Sequence, residues 1–228
     1  WTMHIWTERH LPFAFDRQLL LADLISDLPW SYDLQSGVLS FGDRFAWQAE
    51  ILGTESEETS TWLWAWANDA SNIPERQQGA SLKLKALGEE HHIAEVTESM
   101  VPLDNADGHA FASIAVGEGL GQAYYRGPYE GGAAFLLITD ERLQFQVDDP
   151  LQRILTVFPQ AISAMEIADH REALQGYLSH YGFEAESDGD ALLLREQGQE
   201  VLRAEFDEHG RLRELKGTLG KEKQGATS

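Results

Sequence analysis

Residues 61–68 read Thr-Trp-Leu-Trp-Ala-Trp-Ala-Asn, with Trp62, Trp64 and Trp66 alternating with Leu63, Ala65 and Ala67. A period of two marks a β-strand, because successive side chains of a strand leave on opposite faces. Three indoles then project from one side and small apolar groups from the other, so both faces of the segment are dry. Each indole buries roughly 150–250 Å². That area makes the segment the expected organiser of a sheet's core.

Working outward from it, the period changes twice. On the N-terminal side, Trp30–Leu34, a turn at Gln35-Ser36-Gly37 and Val38–Phe41 form a predicted hairpin; Phe45–Leu52 adds a strand before an acidic Ser/Thr-rich loop from Thr54 to Ser60. Ahead of this meander, Phe13–Leu28 places Phe15, Leu19, Ala22 and Leu24 among acids, the pattern of an amphipathic helix stopped by Pro29. On the C-terminal side, Pro74 opens a predicted helix to about His91, and Ala106–Leu120 predicts another. Gln122–Arg126 and Ala133–Thr139 predict a hairpin. Helices are expected over Leu151–Ile167 and Asp169–Tyr181, with Asp169 as N-cap and Gly182 at the C-terminal end. Strands Phe183–Glu186, Ala191–Glu196, Glu200–Phe206 and Leu212–Thr218 follow, then a frayed tail from Gly220.

The sum is an α+β chain of antiparallel β-meanders covered by helices. Its expected division is an aromatic-rich acidic domain over residues 1–150, a helix-helix-meander unit over 151–219, abutting it or part of the same domain, and a flexible tail over 220–228. The two meanders share a layout, Trp30 mapping on Phe183 and Val38 on Ala191 with a single offset. An ancient duplication and the chance recurrence of a common unit both account for it.

Composition narrows the function classes. With 228 residues, 43% hydrophobic and 10% aromatic, the chain can build a real core. It has no cysteine, which removes disulfides, thiolate metal sites and thiol nucleophiles and suits a reducing compartment. The longest apolar run, Ala133–Ile138, is far short of a membrane span. A soluble, cytoplasmic protein without membrane attachment is the expectation, with a targeting segment ahead of Trp1 left as an open alternative. Charge is lopsided: 17 basic against 38 acidic side chains, a net of −21. Eight Lys/Arg face 24 Asp/Glu through residue 150, a net of −16, and nine face 14 beyond it, a net of −5. Nucleic acid is therefore excluded as a partner, since phosphate binding needs clustered Lys and Arg. A field of this sign either steers in a basic protein or simply keeps the chain soluble.

Chemical motifs are sparse. Glu89 and His92 stand three apart, half of a di-iron pattern, but no second Glu-x-x-His exists in the chain and no metal is expected. Gly117-Glu118-Gly119-Leu120-Gly121 follows a helix and precedes a strand, the reverse of a nucleotide loop, and no cofactor is expected. No nucleophile elbow or zinc-protease helix is present, so no catalytic residue is nominated. Tyr124-Tyr125-Arg126 sets a cation among phenols, with Tyr124 and Arg126 on one face and Tyr125 opposite, an arrangement that suits a carboxylate or phosphate. Asn68 either starts a turn or touches a ligand. The candidate ligand-binding set is thus Trp62, Trp64, Trp66, Asn68, Tyr124 and Arg126, with His91, His92 and His109 as further residues that would have to converge on the indoles.

The string from Trp62 to Asn68, with Trp30-Ser-Tyr-Asp33, Gly37-Val-Leu-Ser-Phe41, Leu52-Gly53-Thr54 and Tyr124-Tyr125-Arg126 around it, resembles a mainly bacterial family known only as a domain of unknown function. The resemblance spans about Leu20–Thr139 and implies no catalytic residue. Three functional readings follow: a non-enzymatic module binding a basic protein or a small anionic ligand, immunity- or inhibitor-like in form; an enzyme with a Trp/Tyr- and Arg126-lined pocket; and a structural protein whose indole face awaits a second subunit.

Overall fold

The computed structural model describes residues 1–218. Helices and antiparallel sheets make an α+β architecture, and the chain divides into two compact units, Trp1–Gln146 and Val147–Ser228. The tail expected from Gly220 lies outside the described residues.

In the first unit a long helix, α1 (Met3–Ile25), precedes the meander β1 (Trp30–Asp33), β2 (Val38–Phe41), β3 (Phe45–Ser56) and β4 (Thr61–Trp64). Helix α2 (Gly79–His91), the single turn α3 (Ala94–Thr97), strand β5 (Met100–Pro102), helix α4 (Gly108–Gly117) and the hairpin β6 (Ala123–Tyr129) and β7 (Gly132–Ile138) complete it. All seven strands share one antiparallel sheet, in which β3 pairs with β2 through residues 45–48, with β4 through Gly53–Ser56 and with β7 from Ala49 to Ser56. Serving two neighbours on one edge bends β3, and a bulge between Ile51 and Gly53 takes up the bend. The sheet curls until Trp30 of β1 lies 5.9 Å from Tyr125 of β6.

The two faces of the curled sheet carry separate cores. Leu39, Phe41, Trp47, Ile51, Ala65, Leu136 and Ile138 fill the inside of the curl, while Leu52, Trp62, Trp64, Phe111, Phe135 and Leu137 pack beneath α1, α2 and α4. This is the division that alternating side chains require. Two glutamates on the helix-covered face fix the helices. Glu50 accepts from Ala80 N at 3.3 Å and Glu55 from Gly108 N at 2.8 Å, so β3 caps the N-termini of α2 and α4, where unpaired N–H groups and the dipole favour a carboxylate. Partial burial raises the Glu50 pKa, the two helix N–H groups opposing.

Three expectations need correction. Helix α1 starts ten residues earlier than Phe13, at an N-cap on Thr2 whose hydroxyl accepts from Ile5 N, and it carries Pro12 within it. The indole strand ends at Trp64; Ala65–Ala67 is a 3-10 turn. Beyond Gly53 the bulged β3 turns away, and without a ladder partner the backbone closes its own hydrogen bond, Asn68 N to Ala65 O. Third, β5 and α3 were not anticipated at all. Strand β5 is only three residues long, and its outward-facing Pro102 lacks an N–H, which blunts the sheet edge.

A clamp closes the unit. Asp140, past β7, accepts from Gln48 N at 2.9 Å and from Arg142 Nη2 at 2.7 Å, and Arg142 donates on to Ala46 O. The Arg142 hydrogen bond, followed by the backbone N–H groups, holds the Asp140 carboxyl well below its ordinary 3.8. The folded state therefore releases this proton more readily than the unfolded chain. Its contribution to stability is complete above the unfolded pKa near 4 and is lost as pH falls through the lower folded value. Asp140→Asn is expected to cost about 1 kcal/mol at neutral pH, because one partner is exposed and solvent-screened. Urea unfolding at neutral and acidic pH checks it: the gap between wild type and variant should shrink at the acidic end.

In the second unit, α5 (Pro150–Ala164) and α6 (His170–His180) accompany a four-stranded antiparallel sheet of β8 (Glu186–Asp188), β9 (Ala191–Glu196), β10 (Gln199–Phe206) and β11 (Leu212–Gly217), in sequential order. Asp169 caps α6, accepting from Glu172 N, and Gly182 follows with φ +80°. The offset between meanders holds for β2 and β9, both at the expected start, but β8 begins at Glu186 rather than Phe183.

Candidate functional site

Trp62 and Trp64 stand on β4 with no exposed surface. Trp62 meets Trp64 edge-on at 5.3 Å, Phe111 at 5.2 Å and Phe135 at 5.5 Å. The Trp64 indole donates to Glu95 O at 3.0 Å and so ties α3 to the sheet. The Trp62 and Trp66 indole N–H groups are buried without a partner among the described residues. Trp66, displaced onto the 3-10 turn, still packs against the same core, with Lys85 Nζ 4.2 Å above its ring. Asn68 accepts from Ser71 N at 3.2 Å, the bond of a turn.

Tyr124 and Arg126 share the helix-covered face of β6, and Tyr125 packs on the opposite face against Trp30 and Phe41. Tyr124 is buried, its hydroxyl 2.8 Å from His109 Nδ1; burial, the largest effect, and then the Asp107 and Glu55 carboxylates push its pKa up. Arg126 is half-buried opposite Phe135, which the His109 ring also touches at 5.2 Å. Of the residues that would have to converge, His109, Tyr124 and Arg126 therefore do gather around Phe135. The others do not. His91 stacks on Trp1 at 4.8 Å, His92 is the left-handed cap of α2, and Asn68 holds its turn. Glu89 and His92 find no third ligand: no group of three metal-binding side chains exists among the described residues.

The glycine run after α4 is structural. Gly117 lies so close to His10 that a Cβ would collide with the imidazole, Gly119 takes φ +74° to end the helix, and Glu118 between them accepts from the Trp6 indole at 2.7 Å and lies 3.1 Å from His10 Nε2. The His10 hydrogen bond chiefly lowers the Glu118 pKa.

What sequence reasoning missed is a rim of carboxylates at one end of the sheet. Glu57 N donates to Gly131 O at 2.9 Å and Leu103 N to Ser60 O at 2.9 Å, so the β3–β4 turn sits beside both the β6–β7 turn and the loop after β5. These three loops bring together Glu57, Glu58, Asp104 and Glu130, all exposed, with Glu55 and Asp107 just inside them at the N-terminus of α4. Residues 54–61, 102–109 and 127–133 contain no Lys or Arg. Tyr129, 48% exposed, stands on the same rim. No helix among the described residues is long and apolar enough to cross a membrane.

No curated protein and no solved structure matches the chain. The profile of a family of unknown function, DUF6882, matches residues 5–141, more than half of the chain and nearly all of its first compact unit. The chain therefore belongs to the family of unknown function DUF6882.

Proposed function

We propose that the first unit is a non-enzymatic binding module that docks a basic protein on the acidic rim of its seven-stranded sheet, in the manner of an inhibitor or immunity protein. The observation that carries this reading is the meeting of three cation-free loops, which puts Glu57, Glu58, Asp104 and Glu130 on one exposed edge beside the Tyr129 ring. Same-sign charges gathered on a surface raise a potential of several kT, which steers an oppositely charged partner and sets its orientation. An exposed Tyr among them supplies the flat, amphipathic contact that interfaces favour.

The rival reading, a small anion held by Arg126, has a half-buried cation in its favour. Against it stand Glu55 and Asp107, whose carboxylates reach Tyr124 electrostatically and repel any anion that approaches the same face. A pocket lined by the strand indoles has less support still, with Trp62 and Trp64 fully enclosed.

The test is an NMR titration of the full chain with a Lys/Arg-rich peptide. Amide shifts should concentrate at residues 57–60, 104–107 and 129–131, and should fade with salt as the Debye length drops from about 10 Å at 0.1 M to about 3 Å at 1 M. The triple variant Glu57→Lys, Glu58→Lys, Glu130→Lys should abolish those shifts; Glu89→Lys with Glu90→Lys, an equal class of change on α2, should leave them. Shifts scattered evenly over all acidic surfaces would overturn the proposal.

A further inference from the structure

The second unit contains a cavity of about 240 Å³ whose polar lining residues are Asp149, Gln152, Glu196 and Thr218. Its residues all lie beyond the family match and share none with the acidic rim. Its walls come from the first turn and a half of α5, the segment after α6, and the ends of β9, β10 and β11. The body is apolar: Pro150, Leu151, Leu155, Phe183 and Val201. Charge enters only as carboxylate, from Asp149 and Glu196.

The electrostatics select the sign of a ligand. Asp149 caps α5, accepting from Gln152 N at 3.1 Å, which already answers the helix N-terminus and removes its attraction for a second anion. Arg195, next to Glu196 in sequence, lies 3.5 Å from Glu186, and Lys216, two residues before Thr218, lies 3.1 Å from Glu214. Neither lining carboxylate has an ion-pair partner among the described residues. A concavity whose lining is more apolar than polar is the usual form of a small-molecule site, and here the only charged lining groups are carboxylates.

We infer that this cavity binds a small primary amine with an aromatic or aliphatic body, the body against Leu155, Phe183 and Val201 and the ammonium between Asp149 and Glu196. Size permits it, since a space of about 240 Å³ admits a single ring with a short chain.

The experiment titrates the full chain with 2-phenylethylamine, 2-phenylethanol and 3-phenylpropionate while following the amides of Gln152, Val201 and Thr218 by NMR. The amine should produce saturable shifts, the alcohol should bind on the order of threefold more weakly, as loss of a solvent-exposed ion pair implies, and the carboxylate weakest of all. Glu196→Gln, a surface change that leaves the fold alone, should erase most of the preference for amine over alcohol. Val201→Trp should block both by filling the space. Shifts that do not saturate, a carboxylate bound as tightly as the amine, or a Glu196→Gln protein with undiminished amine preference would overturn the inference. A folded Val201→Trp protein that still binds would do the same, and should that variant fail to fold, the Glu196→Gln comparison alone decides.

Discussion

Trp64→Ala is expected to lower the stability of the first unit by about 3–5 kcal/mol, the range for removing a buried large aromatic. Trp64 has no exposed surface and packs on Phe111 at 4.5 Å and Trp62 at 5.3 Å, rings that sit between a sheet and helices and cannot collapse far into the space. Phenylalanine substitutions separate packing from hydrogen bonding. Trp64→Phe takes away the donor to Glu95 O, leaving that carbonyl without it and releasing α3, whereas Trp62→Phe removes an indole N–H that has no partner among the described residues. An unmet buried polar group costs about 1–3 kcal/mol. Trp64→Phe should therefore be the more harmful of the pair by on the order of 1 kcal/mol although both lose the same atoms. Urea unfolding gives the difference, and hydrogen exchange should show faster opening of residues 94–97 in Trp64→Phe alone. Equal losses in the two variants would show that the Glu95 bond contributes nothing.

The same strand shows how far period-two reasoning reaches. Alternation identified the face that Trp62 and Trp64 take, because that follows from one strand's own geometry, but it did not show that Trp66 would leave the strand. Where the strand stops is a property of its neighbours: β4 ends where β3 bulges at Ile51 and Gly53, and no pattern within residues 61–68 reports a bulge ten residues earlier. Helix α1 differs for the opposite reason. The pattern from Phe13 is extended N-terminally through Pro12 to Met3, against proline's local tendency, and Trp6 and Ala14 on either side of Pro12 are both buried in the core under the sheet. Strand β5, at three residues, is too short to show any period at all.

The site was legible only in part, and for a physical reason. Tyr124 and Arg126 could be placed on one face from alternation, and His109 joined them through a helix the sequence did show. The acidic rim was invisible because register is a pairwise quantity. Glu57, Asp104 and Glu130 meet only when β3, β4, β5 and β7 are aligned as they are. A weaker signal was present: three separate turn regions all lacked Lys and Arg, in a chain where eight such residues are spread through the first 150. The helix caps supplied by Glu50 and Glu55 belong to the same class. Each looks like an ordinary exposed strand acid until the helix N-terminus it serves is in place.

Gly53→Ala sets two general tendencies against each other, and their magnitudes decide the sign. Replacing glycine in a strand interior by alanine gains roughly 0.5–1 kcal/mol through the unfolded chain when the backbone suits it. At this position a Cβ would run into the benzo edge of Trp62 and into Leu63 O across the β3–β4 pairing. Neither neighbour yields easily. The Trp62 ring is fully enclosed and held by Trp64, Phe111 and Phe135, and the carbonyl belongs to the adjacent strand's backbone. Overpacking of this kind costs typically about 1–3 kcal/mol and sometimes more, which exceeds the conformational gain, so Gly53→Ala should destabilise by on the order of 2 kcal/mol. Because one of the two collisions is with the indole, pairing the change with Trp62→Phe should cost less than the two single losses added together, by about 1 kcal/mol, as residues in direct contact couple. A full set of four proteins in urea unfolding gives that coupling. Strict additivity would place the strain in the β4 backbone at Leu63 and not in the ring, and a Gly53→Ala protein more stable than the parent would mean that β4 can shift away from β3 without loss, contrary to the close packing of its two tryptophans.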